Sequence, residues 1–232
     1  VHLYEEKIIG FIDILGWSEL IKHSAENEHL LKSLDSVAAL IAEISAFTPQ
    51  INEVSHKIYK ESPFKDDQWG DLKRVDLLAT HFSDTLVFSA SPNKEATSIL
   101  VACVIGLTIK LLSAGYYIRG VITKGKLHHT SNSLYGPALI SAYKMEQKNA
   151  IYPRVLVTSD VLEHLVAKEW VEKDRFDGMN FLNVLHFADE KCIATIEEEL
   201  AVNMEKQALN LDVLQKLNWV RNYINNHKVK FV

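Results

Sequence analysis

Two carboxylates stand where carboxylates are costly or conspicuous. Asp13 interrupts Lys7 to Leu15 (Lys-Ile-Ile-Gly-Phe-Ile-Asp-Ile-Leu), the most apolar strand-like stretch of the chain. Burying an ionised carboxylate without a partner is expensive enough that the group would otherwise neutralise. Asp84 follows Ser83 between Arg74–Phe82 and Thr85–Ala90, two strand-like runs that read as a hairpin with Asp84 at its turn. Two carboxylates converging on an antiparallel sheet suit hard divalent cations, which bring nucleotide phosphates with them. Two such ions about 3.5–4 Å apart activate an attacking hydroxyl and hold phosphates and leaving group. The plain alternative is that Asp13 caps the following turn and Asp84 is an ordinary hairpin residue. Beyond Asp13, Ile14-Leu15-Gly16 runs into a helix N-terminus, where free N–H groups make an anion site. One short segment thus offers a carboxylate, the Ile14 carbonyl and a phosphate cradle.

The elements that must hold these residues can be read in order. After the first strand, Ser18 reads as the N-cap of a helix carrying Leu20, Leu34, Val37 and Ile41 and ending near Phe47-Thr48-Pro49. Residues 50–70 read as a loop. The hairpin is followed by a helix over Lys94–Ala114, a strand over Tyr116–Thr123 ended by Lys124-Gly125, and a paired strand over Lys126–Thr130. Then come a helix over Ala138–Lys148, a strand over Arg154–Thr158 and a helix over Ser159–Glu169 capped by Ser159. The order strand, helix, strand, strand, helix, strand is the ferredoxin-like βαββαβ arrangement of an α+β fold. Both helices lie on one face of its sheet, and the other is free for a site or a partner. From Ile196 on, Leu200, Met204, Leu209, Val213, Leu217, Val220 and Ile224 recur at helical spacing. We expect a catalytic domain over 1–190 and a helical extension over 191–232 packed on it.

Composition excludes several classes. The 232 residues are 47% hydrophobic and 24% charged, with net charge −5 and two cysteines, which excludes disorder and a disulfide scaffold. Without a basic patch, no nucleic-acid polymer is expected as partner. Ile99–Ile109 is too short an apolar run for the roughly 20 residues a membrane span needs. With no signal-like N-terminus either, a cytoplasmic protein without membrane contact is expected. Cys103 and Cys192 read as buried reduced thiols, and the adjacent His128 and His129 as an exposed pair, since neighbours on a strand point to opposite faces.

Four segments, in register, resemble the class III nucleotidyl cyclases. Phe11-Ile12-Asp13-Ile14-Leu15-Gly16-Trp17 resembles their F-x-D-I-x-G-F start, and Phe82-Ser83-Asp84 their I-G-D hairpin. Arg119 to Gly125 resembles R-x-G-I-x-x-G, and Gly136 to Lys144 occupies the place of G-x-x-V-N-x-A-x-R. The resemblance implies a class III cyclase core in which Asp13, Asp84 and the Ile14 carbonyl bind two Mg²⁺ or Mn²⁺ ions. It implies attack of a ribose 3′-oxygen on the α-phosphate with loss of pyrophosphate. It also implies a homodimer with sites at the interface. Phe11, Ile14, Leu15, Gly16, Trp17, Arg119 and Arg154 are then expected around the substrate, with Lys144 as the catalytic cation.

The departures narrow the reading. Thr80 and Ser133 stand where purine cyclases place their base-reading Lys and Asp or Cys, Ile140 replaces the ribose-orienting Asn, and Lys144 the phosphate-binding Arg. Lys neutralises phosphate only as a point charge. A site without the expected partners discriminates poorly for purine. Gly136 to Tyr143, with Glu146 and Tyr152-Pro153-Arg154, is similar to the bacterial pyrimidine cyclases of the Pycsar antiphage system, which make cyclic UMP or cyclic CMP for a separate effector protein. UTP is favoured over CTP only slightly, because the Thr80 and Ser133 hydroxyls suit either base. A purine cyclase with an altered pocket, or an inactive nucleotide-binding or dimerisation module, is the alternative.

Overall fold

A computed structural model describes residues 4–61 and 75–229. Arg74 and Trp69 lie outside the described residues. The strands are β1 (Glu5–Ile14), β2 (Leu78–Phe82), β3 (Thr85–Ala90), β4 (Ile118–His129), β5 (Leu134–Tyr135), β6 (Val155–Val157), β7 (Val171–Lys173) and β8 (Asn180–Leu182). The helices are α1 (Trp17–Ser24), α2 (Glu28–Glu61), α3 (Lys94–Ser113), α4 (Pro137–Asn149), α5 (Ser159–Leu162), α6 (Glu190–Lys206) and α7 (Leu211–Val229). The sheet order is β2-β3-β1-β4-β6-β8-β7, with β5 paired to β4 alone. Its first four strands are mutually antiparallel, the βαββαβ core of an α+β fold, and β6 then joins parallel to β4.

Strand alternation divides β1 between two faces. Ile8, Ile12 and Ile14 enter the main core with Leu34, Val37 and Ile41 of α2 and Leu100, Val101 and Val104 of α3. Ile9 and Phe11 point the other way, into a smaller cluster with Val87, Leu127 and the α4 residues Ala138 and Ala142. The second face is therefore partly covered by α4, where the sequence predicted a free one. At twenty residues α3 is long and apolar enough to cross a membrane, yet most of it is buried against the sheet and the helices around it. Helices α6 and α7 close the same core through Ile193, Ile196, Leu200, Leu217, Val220 and Ile224.

Several boundaries differ from the sequence reading. The expected single helix after β1 is two, and the first is capped by Gly16 (φ 80°), not by Ser18. The second continues through Pro49 to Glu61. Its later turns are tied to the sheet by Asn52, whose side chain accepts from Leu77 N–H and donates to Leu77 C=O. Lys124-Gly125 does not end a strand: β4 runs unbroken through it, because a glycine there lets α4 approach. A Cβ on Gly125 would lie 3.1 Å from Ala138 Cβ. The helix expected over Ser159–Glu169 is a single turn capped at Thr158, with a 3₁₀ turn at Lys168–Trp170.

Candidate active site

The cross-strand register creates the centre of the site. Asp13 pairs with Thr85 on β3 and with Arg119 on β4, so the carboxylate and the guanidinium project from one face. The hairpin turn, with Ser83 in the left-handed region (φ 54°), carries Asp84 to the end of β1, where Ile14 N–H donates to the Asp84 carbonyl at 3.2 Å. Arg119 Nε lies 3.5 Å from Asp13 Oδ2 and 2.5 Å from Glu146 Oε1, so the guanidinium sits between two carboxylates. Glu146 is fully buried. It extends the inward-facing row Ala138, Ala142, Glu146 of α4 at four-residue spacing.

One cation does not balance three acids. Burial first, then the charges of Asp84 and Glu146, push the Asp13 carboxyl up to about 6, and Arg119 only partly opposes them. Burial also raises Glu146, again against Arg119. An all-oxygen donor set that is short of positive charge fits a hard divalent ion. Among the described residues no group of three or more His, Cys, Asp or Glu side chains is placed to enclose a metal. Binding through one or two carboxylates, with substrate phosphates completing the shell, is how Mg²⁺ is commonly held.

The phosphate cradle begins later than the sequence suggests. The N–H groups of Ile14 and Leu15 are already donated, to Asp84 and Tyr117 carbonyls. The first turn of α1 has no side-chain cap, which leaves Gly16 and Trp17 to offer backbone N–H groups. The side chains of Trp17, Ile14 and Phe11 are buried in the two hydrophobic clusters, and Phe11 meets Tyr143 edge-on with ring centroids 6.0 Å apart.

Thr80 and Ser133 each meet one of two adjacent β4 histidines, which point to opposite faces of the strand. Thr80 Oγ1 lies 2.8 Å from His129 Nε2, and His129 Nδ1 lies 2.8 Å from Ser89 Oγ. His128 Nε2 lies 3.0 Å from Ser133 Oγ. His129 is buried, which corrects the exposed pair, and burial with the nearby Lys7 and His128 pushes its imidazole down to about 4. Sequence reasoning missed both Glu146 and His129 as parts of this face. A carboxylate in line with two alanines on one helix face was the available signal for Glu146.

Two expected residues are not brought to the acidic centre. Arg154 is inside the protein, paired with Asp174 and Asp177 and packed over the rings of Tyr152, Phe181 and Trp219. With every charge partner internal, it is a structural cation rather than a phosphate ligand. Lys144 is exposed on α4, two residues from the inward-facing Glu146 and hence on the opposite side of the helix. Ile140 is also exposed. The two cysteines are free and only partly buried.

No protein-family model and no curated protein matches the chain. Among solved structures it is similar to a bacterial light-regulated adenylyl cyclase, with TM-score 0.49 and 14% identity over 95% of this chain and 57% of that one. It is also similar to the catalytic core of a rhodopsin-guanylyl cyclase with converted specificity in complex with ATPαS (TM-score 0.45, 12% identity, 78% of this chain and 96% of that one). A third is a class III adenylyl cyclase-like ATP-binding protein from Pseudomonas aeruginosa (TM-score 0.42, 12% identity, 72% of this chain and 36% of that one). The chain thus spans 57% of the length of the first of these.

Proposed function

We propose that the chain is a class III-type nucleotidyl cyclase that converts a pyrimidine nucleoside triphosphate, UTP before CTP, to its 3′,5′-cyclic monophosphate. The observation that carries this reading is the joining of Asp13 and Asp84 at the end of β1, in surroundings whose negative charge one arginine leaves uncompensated. In the reaction a bond forms between the ribose 3′-oxygen and the α-phosphorus. The bond from that phosphorus to the oxygen bridging to the β-phosphate breaks, pyrophosphate leaves with the electron pair, and the 3′ proton passes to solvent.

Asp13, Asp84 and the Ile14 carbonyl would hold two Mg²⁺ or Mn²⁺ ions. Such ions supply a more acidic 3′-hydroxyl and neutralise the phosphates. Arg119 holds Asp13 in place and limits the repulsion between it and Glu146. The first-turn N–H groups of α1 face the anionic end of the substrate. Thr80, on the same sheet face as Asp13, would meet the base. Lys144 points away from its own acidic centre, so its phosphate contact would be made in the site of a partner subunit. Phe82 at the hairpin tip and Ile140 and Tyr143 on α4 are exposed apolar side chains suited to a homodimer contact near this face. The cyclic product would act on a separate effector protein in defence against phage, as the sequence resemblance implies.

The outward Lys144 and Ile140 favour a second reading, a module that binds nucleotide or dimerises without turnover. Incubating the purified chain with ATP, GTP, CTP or UTP and Mn²⁺, and resolving products against cyclic standards, separates the readings. A cyclic pyrimidine product is expected. A cyclic purine would show an altered purine cyclase, and no product would leave the binding module.

A further inference from the structure

An arginine directly across a strand pair from an aspartate ordinarily closes on it, two fork nitrogens taking the two carboxylate oxygens. Such closure would fill the lone pairs that a divalent ion needs. Arg119 pairs in register with Asp13, yet its Nε and Nη2 both lie 3.5 Å from Asp13 Oδ2, at the outer limit of a hydrogen bond. Asp13 Oδ1 has no hydrogen-bond partner among the described residues, and the side chain is still reached by solvent. The same Nε is 2.5 Å from Glu146 Oε1. Glu146 is fully buried, its other oxygen accepts from Gln147, and among the described residues no other cation pairs with it. A buried carboxylate with one available cation cannot release it without being left uncompensated. Asp13, open to water, is under no such constraint. Ala138 and Ala142, two turns and one turn back on the same face of α4, pack on β1 and bring the helix close enough for Glu146 to reach Arg119.

We propose that Glu146 is a positioning residue that holds the Arg119 guanidinium off Asp13 and thereby keeps the Asp13 oxygens open to a divalent cation. This rests on the reading above that Asp13 is a metal ligand. The arrangement separates two tasks that one closed ion pair could not perform together. Arg119 lends positive charge to the acidic centre through a contact too long to occupy Asp13 fully. Glu146 remains the carboxylate that keeps the guanidinium when an ion is bound. Without Glu146, Arg119 has Asp13 as its one remaining paired acid and closes on it as a fork. A divalent cation then has to displace an arginine as well as water.

The test measures Mn²⁺ affinity of the full chain without nucleotide, from the electron paramagnetic resonance signal of the free ion. Wild type, E146L, E146Q, R119M/E146L and D13N are compared, each shown to be folded by its unfolding transition. Glu146→Leu should weaken Mn²⁺ binding roughly tenfold or more, and Glu146→Gln, which keeps a neutral acceptor, by less. The double variant should return to within about threefold of wild type, because the competing guanidinium is gone. A crystal structure of E146L should show two fork nitrogens of Arg119 on Asp13 at about 2.7–2.9 Å. Loss of a nearby charge alone would weaken binding without moving Arg119, so that distance separates the two causes. Unchanged affinity in both Glu146 variants, no recovery in the double variant, or Arg119 still 3.5 Å from Asp13 in E146L overturns the proposal. Should E146L fail to fold, E146Q and R119M/E146Q carry the same comparisons. Glu146 variants like wild type beside a weakened D13N overturn the proposal and leave the metal reading of Asp13 standing. Equal Mn²⁺ binding by wild type and D13N overturns both.

Discussion

Asp13 and Arg119 are direct cross-strand partners, and Arg119 Nε reaches both Asp13 Oδ2 at 3.5 Å and Glu146 Oε1 at 2.5 Å. The guanidinium is the shared counter-ion of two carboxylates contributed by β1 and α4. Removing it leaves both without a cation, whereas removing Glu146 as well leaves only one acid to accommodate. Arg119→Met should destabilise the protein at pH 8 by roughly 3–5 kcal/mol. The double variant R119M/E146Q should recover a large part. Urea denaturation measures both, and an R119M chain as stable as wild type would remove the counter-ion role.

The metal-free protein should show opposed pH dependences at Asp13 and His129. His129 falls from 6.5 to about 4 on folding. Its contribution is fully present above pH 6.5 and is lost as pH falls toward 4, because the unfolded chain protonates first. Asp13 rises from 3.8 to about 6. Its contribution is fully present below pH 3.8 and is lost as pH rises through 6. Each spans about 3 kcal/mol, so the two slopes largely offset one another between pH 4 and 6. Asp13→Asn should unmask the histidine slope and be relatively more stable at pH 7.5 than at pH 4 when compared with wild type. Parallel stability curves for D13N and wild type would contradict the Asp13 shift.

Gly120 faces Ile12 across the β1–β4 ladder, beside the site. A Cβ there would lie 2.4 Å from the Phe11 carbonyl oxygen and 2.8 Å from Ile12 Cδ1. Backbone cannot yield as a flexible side chain does. Gly120→Ala should cost about 1–3 kcal/mol, read as a lower Tm. It should also disturb the Asp13–Arg119 register and lower turnover.

Arg154 supplies a control for the phosphate assignments. Its partners Asp174 and Asp177, with the ring of Trp219, fasten the β7–β8 region and α7 to the core. Lysine cannot reproduce the two-sided pairing and the stacking together. Arg154→Lys should lower the urea midpoint while leaving KM for the triphosphate unchanged in the folded protein if the proposed activity holds. A raised KM at unchanged stability would return Arg154 to the substrate site.

The pair Asp13 and Asp84 was legible in sequence because an acid in an apolar strand and an acid at a hairpin turn are both local signals. The βαββαβ order followed from the same local patterning. What was not legible depends on distant partners. Pro49 reads as a helix stop, yet α2 continues to Glu61 because Asn52 satisfies the backbone of Leu77. Gly125 reads as a turn, yet it serves the close packing of Ala138. Arg154 reads as an available cation until Asp174 and Asp177 are seen around it. His129 reads as an exposed residue until Thr80 and Ser89, from two other strands, are seen against its ring nitrogens.

The central claim is that Asp13 and Asp84 together carry the catalysis. The most direct measurement is the rate of cyclic nucleotide formation from UTP with Mn²⁺ by wild type, D13N and D84N, with folding of each verified by its unfolding transition. Each variant should lose at least about 10²-fold in kcat while remaining folded. Rates indistinguishable from wild type in folded D13N and D84N would contradict the account.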